Sequence, residues 1–110
     1  LAPNQQYQDM VKQIILEDLH TGLIDIEVVS KKLCISRWTL ARKLSKEQTT
    51  YRQIYKNLQK HLALKYLRST TLSIQEIALL SGFSSRSSFN RAFKKWTGKK
   101  PREYTFKDDS

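Results

Sequence analysis

Apolar residues recur along this chain at three- and four-residue intervals, and an alternating pattern is absent. The first spacing lines one face of a helix; the second would mark a half-buried strand. Tyr7, Met10, Val11, Ile14 and Leu19 predict an amphipathic helix, with Gly22 as its natural stop. Asp25 can cap a second, short helix whose apolar face is Ile26, Val29 and Leu33. Ser36 can cap a third, running through Leu40 and Leu44. Tyr51, Ile54, Tyr55, Leu58, Leu62 and Tyr66 mark a long helix of roughly 18–20 residues, their aromatic rings reading as core. Ser73-Ile74-Gln75-Glu76 has the form of a capping box opening a fifth helix, with Ile77 and Leu80 facing inward and Gly82 ending it. Ser84 or Ser85 caps a sixth through Phe89, Phe93 and Trp96, which Gly98 stops. Pro101 suits the first turn of a last short helix over 101–105. The expected fold class is all-α, with about seven helices.

Two of these segments are the same unit used twice. At an offset of 48, Ile26 aligns with Ile74, Val29 with Ile77, Ser30 with Ala78, Cys34 with Gly82, Ile35 with Phe83 and Ser36 with Ser84. With one residue added, Leu40 aligns with Phe89, Arg42 with Arg91 and Leu44 with Phe93. The small residue, Ser30 or Ala78, lets two helices approach closely. The turn position wants a residue that tolerates positive φ, which Gly82 supplies and Cys34 supplies only with strain. A short helix, a tight turn and a capped basic helix make a helix-turn-helix. The expected organisation is a first helix-turn-helix subdomain over 5–50, a linker helix over 51–70 and a second helix-turn-helix subdomain over 71–106.

Composition alone is ordinary for a folded chain of 110 residues: 39% apolar, 27% charged, two prolines. Charge changes the picture. Twenty Lys and Arg against ten Asp and Glu leave a net charge of +10, which calls for a polyanionic partner. The sign is also segregated. Residues 1–35 carry three lysines against five carboxylates, a net of −2, while residues 36–110 carry seventeen cations against five carboxylates, a net of +12.

The second helix of such a unit can enter the DNA major groove N-terminal end first. In the first unit Leu40 and Leu44 must face the core, which turns Arg37, Trp38, Ala41, Arg42 and Lys46 outward. In the second, with Phe89 and Phe93 inward, Arg86, Ser87, Asn90, Arg91 and Lys94 are outward. Arg can grip guanine in a fork, Asn can pair with adenine, and an apolar group can meet a thymine methyl. The same Arg and Lys can also hold phosphate, which positions without specifying. Trp38, on the exposed side of a basic helix, is assigned to base or sugar contact, and Trp96, at the end of the phenylalanine stripe, to packing. Arg42 and Arg91 occupy equivalent places, which argues for a shared role in DNA contact over a structural ion pair. Lys99, Lys100 and Arg102 either touch phosphate or solvate the final turn. The DNA-contacting set is thus Arg37, Trp38, Thr39, Ala41 and Arg42 with Arg86, Ser87, Asn90, Arg91 and Lys94. A linker of twenty residues is about 30 Å long, close to the roughly 34 Å turn of B-DNA. One chain could then read an asymmetric site of about 15–20 base pairs through successive major grooves.

These stretches resemble the DNA-binding domain of AraC/XylS-type transcription regulators. The resemblance runs through Ser36-Arg37-Trp38-Thr39-Leu40-Ala41-Arg42-Lys43-Leu44 and Leu62-Ala63-Leu64-Lys65-Tyr66-Leu67. It is most specific from Ser73-Ile74-Gln75-Glu76-Ile77-Ala78 through Gly82-Phe83-Ser84-Ser85 to Phe89-Asn90-Arg91-Ala92-Phe93-Lys94-Lys95-Trp96-Thr97-Gly98-Lys99-Lys100-Pro101-Arg102-Glu103-Tyr104, and in all it covers residues 5–105. The Trp-Thr-Gly ending resembles the branch whose full-length members carry an N-terminal arabinose-binding-like ligand domain. The resemblance implies two helix-turn-helix subdomains joined by a long helix. It places base-reading positions at Trp38, Ala41 and Arg42 and at Arg86, Ser87, Asn90 and Arg91. It implies a bacterial, cytoplasmic, nucleoid-associated regulator, an activator that contacts RNA polymerase, whose effector acts through a domain outside this fragment. Three positions depart from the family pattern. Ala41 offers only a methyl where many members have a polar side chain. Gln48 stands where Gly usually follows the first recognition helix, which implies a left-handed residue bearing a side chain. Thr105 replaces a basic residue.

Other classes find little support. One cysteine makes no internal disulfide, and Cys34 with His20 and His61 cannot supply four zinc ligands. The two histidines read as solvated or capping residues. No nucleophile–base pair, phosphate-cradling glycine loop or carboxylate cluster suggests an enzyme, and no cofactor is expected. No apolar run approaches the roughly 18 residues of a bilayer span. A basic amphipathic module on anionic lipid is the remaining competitor, but the Phe and Leu stripes are already needed for two small cores. The start at Leu1-Ala2-Pro3, without Met, reads as an excised C-terminal piece of a longer protein, and processing would give the same end.

Overall fold

Short polar side chains set the helix boundaries, because each can accept a hydrogen bond from a backbone N–H that the first helical turn leaves without a partner. In the computed structural model, which describes residues 5–69 and 71–104 and only the backbone of residues 69 and 104, seven α-helices follow one another. They are α1 (Gln6–Asp18), α2 (Ile26–Lys32), α3 (Arg37–Lys46), α4 (Tyr51–Ser69), α5 (Ile74–Leu80), α6 (Arg86–Thr97) and α7 (Pro101–Tyr104), with a 3₁₀ turn at Leu19–Thr21. Asp25, Ser36, Ser73 and Ser85 cap α2, α3, α5 and α6. Of the two serines offered for α6, it is Ser85 that accepts from the Ser88 N–H, at 3.1 Å. The capping box is complete: Ser73 Oγ accepts from Glu76 N, and Glu76 Oε1 accepts from Ser73 N at 2.9 Å. That backbone hydrogen bond, with the Ser73 hydroxyl, holds the Glu76 carboxyl below its ordinary range. Residue 105 and the 106 boundary of the second subdomain lie outside the described residues, as does residue 70 at the end of the expected linker.

The chain forms two compact units. Among the described residues, the first comprises 5–19 and 23–58, and the second 20–22, 59–69 and 71–104. In the first, Val11, Ile15 and Leu19 of the N-terminal segment are buried with Val29, Leu40, Leu44 and Ile54. The N-terminus of α1 has no cap of its own. Instead Glu47, beyond the end of α3, accepts from Tyr7 N and Gln8 N, both at 2.9 Å. Tyr51, at the start of α4, packs edge-on to Tyr55 with its hydroxyl buried and without a hydrogen-bond partner among the described residues. Burial first, then the charges of Tyr55 and Asp25, pushes its phenol well above the ordinary range.

In the second unit Ala63, Leu67, Ile77, Ala78, Phe89 and Phe93 form one buried cluster. Phe83, Phe89, Phe93 and Trp96 pack ring against ring, with centroids 5.3–6.0 Å apart. Trp96 is therefore a packing residue, as its place on the stripe implies. Leu80 is not: it is 37% exposed, and the buried positions of this segment are Ile77, Ala78 and Ser81. The inward face runs through Ile74, Ile77, Ala78 and Ser81, spaced i, i+3, i+4 and i+7, so Ser81 takes the place expected for Leu80.

Candidate nucleic-acid interface

The two turns are built by the same backbone hydrogen bonds. Cys34 N donates to Lys31 O and Ile35 N to Ser30 O, at 3.0 and 3.1 Å. Forty-eight residues on, Gly82 N donates to Leu79 O and Phe83 N to Ala78 O, at 3.1 and 3.0 Å. This is a Schellman closure, which needs a left-handed residue at its corner. Gly82 has φ +88° and Cys34 φ +60°; Gln48, closing α3, has φ +65°. The turn's small residue is buried in both units, and Ser30 satisfies its hydroxyl by donating to Ile26 O at 2.6 Å.

With the turn fixed, burial of Leu40 and Leu44 on α3 and of Phe89 and Phe93 on α6 decides which faces remain outside. On α3, Arg37, Trp38, Ala41, Arg42 and Lys46 are exposed. Trp38 is 69% exposed and lies outside the core. Thr39 is half-buried, and its hydroxyl accepts from Ser36 Oγ at 3.0 Å; in this structure it braces the cap. On α6, Arg86, Ser87, Arg91 and Lys94 are exposed and Asn90 is half-buried. Ser88, the equivalent of Thr39, shares a hydroxyl–hydroxyl hydrogen bond with Ser85 at 3.0 Å.

The units differ in how they hold their first arginine. Arg37 Nη1 lies 2.9 Å from Glu27 Oε2, and its guanidinium sits 4.8 Å from the centre of the Trp38 ring. Glu27 is the repeat equivalent of Gln75, and Arg37 of Arg86. The second unit thus has a neutral amide where the first has a carboxylate. This pairing was not visible in the sequence, because it joins residues on different helices; comparing the repeats at Glu27 and Gln75 would have flagged it.

Two capped, basic helices, each set at the end of the same tight turn and each presenting a cationic outer face, define a double helix-turn-helix domain. Among the described residues, no group of three or more His, Cys, Asp or Glu could hold a metal ion, and no helix is long and apolar enough to cross a membrane. A family profile described as a helix-turn-helix domain matches residues 29–106. The chain is 49% identical over 80 residues to the ornithine utilization regulator of Pseudomonas aeruginosa, spanning 73% of this chain and 24% of that protein. It superposes on the C-terminal domain of AraT, a response regulator from Geobacillus stearothermophilus, with a TM-score of 0.81 at 25% identity, covering 94% of this chain and 90% of the other. It also shares its fold with the DNA-binding domain of AdpA, a global transcriptional factor solved in complex with a target DNA, with a TM-score of 0.73 at 24% identity over 88% of this chain and 87% of that one. The chain belongs to the AraC-type helix-turn-helix family, the DNA-binding domains of transcription regulators.

Proposed function

We propose that α3 and α6 are the two base-reading helices of this domain, and that they enter successive major grooves of one asymmetric site on double-stranded DNA. The observation that carries this reading is the repeated outer face: the same turn, cap and buried apolar pair leave Arg37, Trp38, Ala41 and Arg42 outward on α3 and Arg86, Ser87 and Arg91 outward on α6. The length of α4 supports it. Its 19 residues form a rod of about 29 Å, near one turn of B-DNA. Arg86 and Asn90 are assigned to base edges, Arg42 and Arg91 to DNA contact in equivalent positions, and Lys94 to phosphate. Thr39 acts through the Ser36 cap that orients α3. The domain works by binding, without catalysis or cofactor, in the bacterial cytoplasm on the nucleoid. The intact regulator acts as an activator that contacts RNA polymerase at promoters, and its effector binds a domain outside this chain.

Selection of bound duplexes from a random pool tests the reading. The expected product is a split, asymmetric consensus. Substituting Arg86 or Asn90 by Ala should relax preference at one position each, by about 1–3 kcal/mol per lost bidentate contact. Arg91→Ala should weaken binding to the selected duplex. If all three variants bind every duplex as the parent does, these residue roles are wrong.

A further inference from the structure

The cationic face of α6 extends past the helix itself. A cavity of about 250 Å³ lies beside it, lined by residues of α6, the turn that follows it, α7 and the start of α5. Five lining side chains are cations, Arg86, Arg91, Lys94, Lys100 and Arg102, and no lining residue is acidic. Among the described residues the ion pairs of Lys32 with Asp18 and of Arg37 with Glu27 lie in the other unit and involve none of the five; the nearest carboxylate along the chain, Glu103, is held on the Lys100 backbone N–H. Like charges gathered around one small space raise one another's energy, and a bound anion removes that cost.

Lys100 and Arg102 do not hang on a loose tail. Gly98, left-handed at φ +81°, closes α6 by donating to Lys94 O at 2.7 Å. Thr97 Oγ1 donates to Phe93 O at 3.0 Å and accepts from Lys99 N at 3.1 Å. Lys100 N donates to Glu103 Oε1 at 2.9 Å, and Pro101 between them is buried. The turn is braced at each step, so the two cations are presented at a fixed place.

The chemistry of the lining selects the ligand. Three guanidinium groups offer forked donors that match the several oxygens of a phosphate, and the ammonium groups add point charge. The rest of the lining is the Asn90 amide with the apolar side chains of Ile74 and Pro101, which suit a sugar next to that phosphate. Arg86, Asn90 and Arg91 belong at once to this cavity and to the outer face of α6. We propose that the cavity between α6 and α7 seats one backbone phosphate of the duplex that α6 reads, with Lys100 and Arg102 as the residues that grip it. This rests on the proposed function, and a free phosphate compound is the other source of the same chemistry.

The test uses the whole chain and the double variant Lys100→Ala/Arg102→Ala, whose altered side chains are both exposed. Binding to the selected duplex and to an unrelated one is followed by fluorescence anisotropy across a salt series. The double variant should lose affinity by the same factor on both duplexes, and its slope of log K against log salt should fall by about one, the loss of one phosphate contact. A single neutral methylphosphonate linkage, moved along the selected duplex, should weaken the parent at one position where it leaves the double variant unaffected. Unchanged affinity and slope on both duplexes would overturn the proposal, as would a variant that changes base preference and keeps its slope. In a third arm, inorganic phosphate is titrated without DNA while the amide signals of Asn90 and Arg91 are followed. Saturable shifts in the parent, lost in a double variant that still binds DNA normally, would assign the seat to a free phosphate compound and overturn the backbone assignment. If the random pool gave no consensus, the base-reading function would fail alone: a lower slope for the double variant on arbitrary duplexes would still support the seat.

Discussion

Cys34 shows what a single backbone angle can do. Its φ of +60° forces its Cβ toward a carbonyl, where Gly82 at the same corner of the other unit has no Cβ to place. Left-handed backbone costs a residue with a side chain about 1–2 kcal/mol, while glycine gives back about 0.5–1 kcal/mol through its freer unfolded state. Cys34 is exposed, so removing its side chain opens no cavity. Cys34→Gly should therefore stabilise α2 and α3 by about 0.5–1 kcal/mol, read as slower amide exchange in those helices, and Gly82→Ala should shift α5 and α6 the opposite way. Faster exchange in Cys34→Gly would mean that the side chain holds the turn in a way its geometry does not suggest. The strained corner was legible in the sequence, from the alignment of Cys34 with Gly82; the left-handed Gln48 followed only from the resemblance to the AraC-type pattern, where Gly usually stands. The ion pair of Arg37 with Glu27 was not, since ten residues separate them and no local spacing favours the contact.

Elements end where local chemistry ends them, with one exception that comes from far along the chain. Asp25, Ser36, Ser73 and Ser85 each cap the helix that follows them, so a reading of nearby residues finds them. The cap of α1 is supplied by Glu47, 40 residues from Tyr7, and nothing in the sequence around Gln5 announces it. Its carboxylate holds two first-turn N–H groups, and Gln8 Nε2 returns a bond to Glu47 O at 3.3 Å. Glu47 thereby ties the start of α1 to the end of α3. Glu47→Ala should destabilise the first unit by about 1–2 kcal/mol, the cost of an N-cap strengthened by charge. The check is amide exchange at Tyr7 and Gln8, which should accelerate more than exchange in α5 or α6. Equal acceleration in both units would indicate a general loss of stability and not a lost cap. The exposed Leu80 marks the other limit of periodicity: α5 has only seven residues, and so short a run leaves the apolar face undetermined by one position.

At the scale of the whole molecule the sequence shows the sign and placement of charge, and the structure adds where that charge collects. The faces of α3 and α6 were legible because Leu40, Leu44, Phe89 and Phe93 fix which way each helix turns. The cavity beside α6 was not, because its walls come from residues as far apart as Ile74, Arg86 and Arg102. Association with DNA should follow from the charge in a measurable way. Residues 36–110 carry a net +12, and each phosphate they neutralise releases condensed counterions from the duplex. Six to ten such contacts would lower affinity by about 10³–10⁵ between 50 and 200 mM salt. The ratio of affinities for the selected and unrelated duplexes should change far less over the same range, because base-edge contacts release no counterions. A lipid-surface module would show the salt dependence on anionic vesicles and no preference among duplexes. A flat salt response on DNA would mean that the arginines and lysines of α3 and α6 stay solvated when the protein binds. In that case the outward faces described above would have no part in holding the duplex.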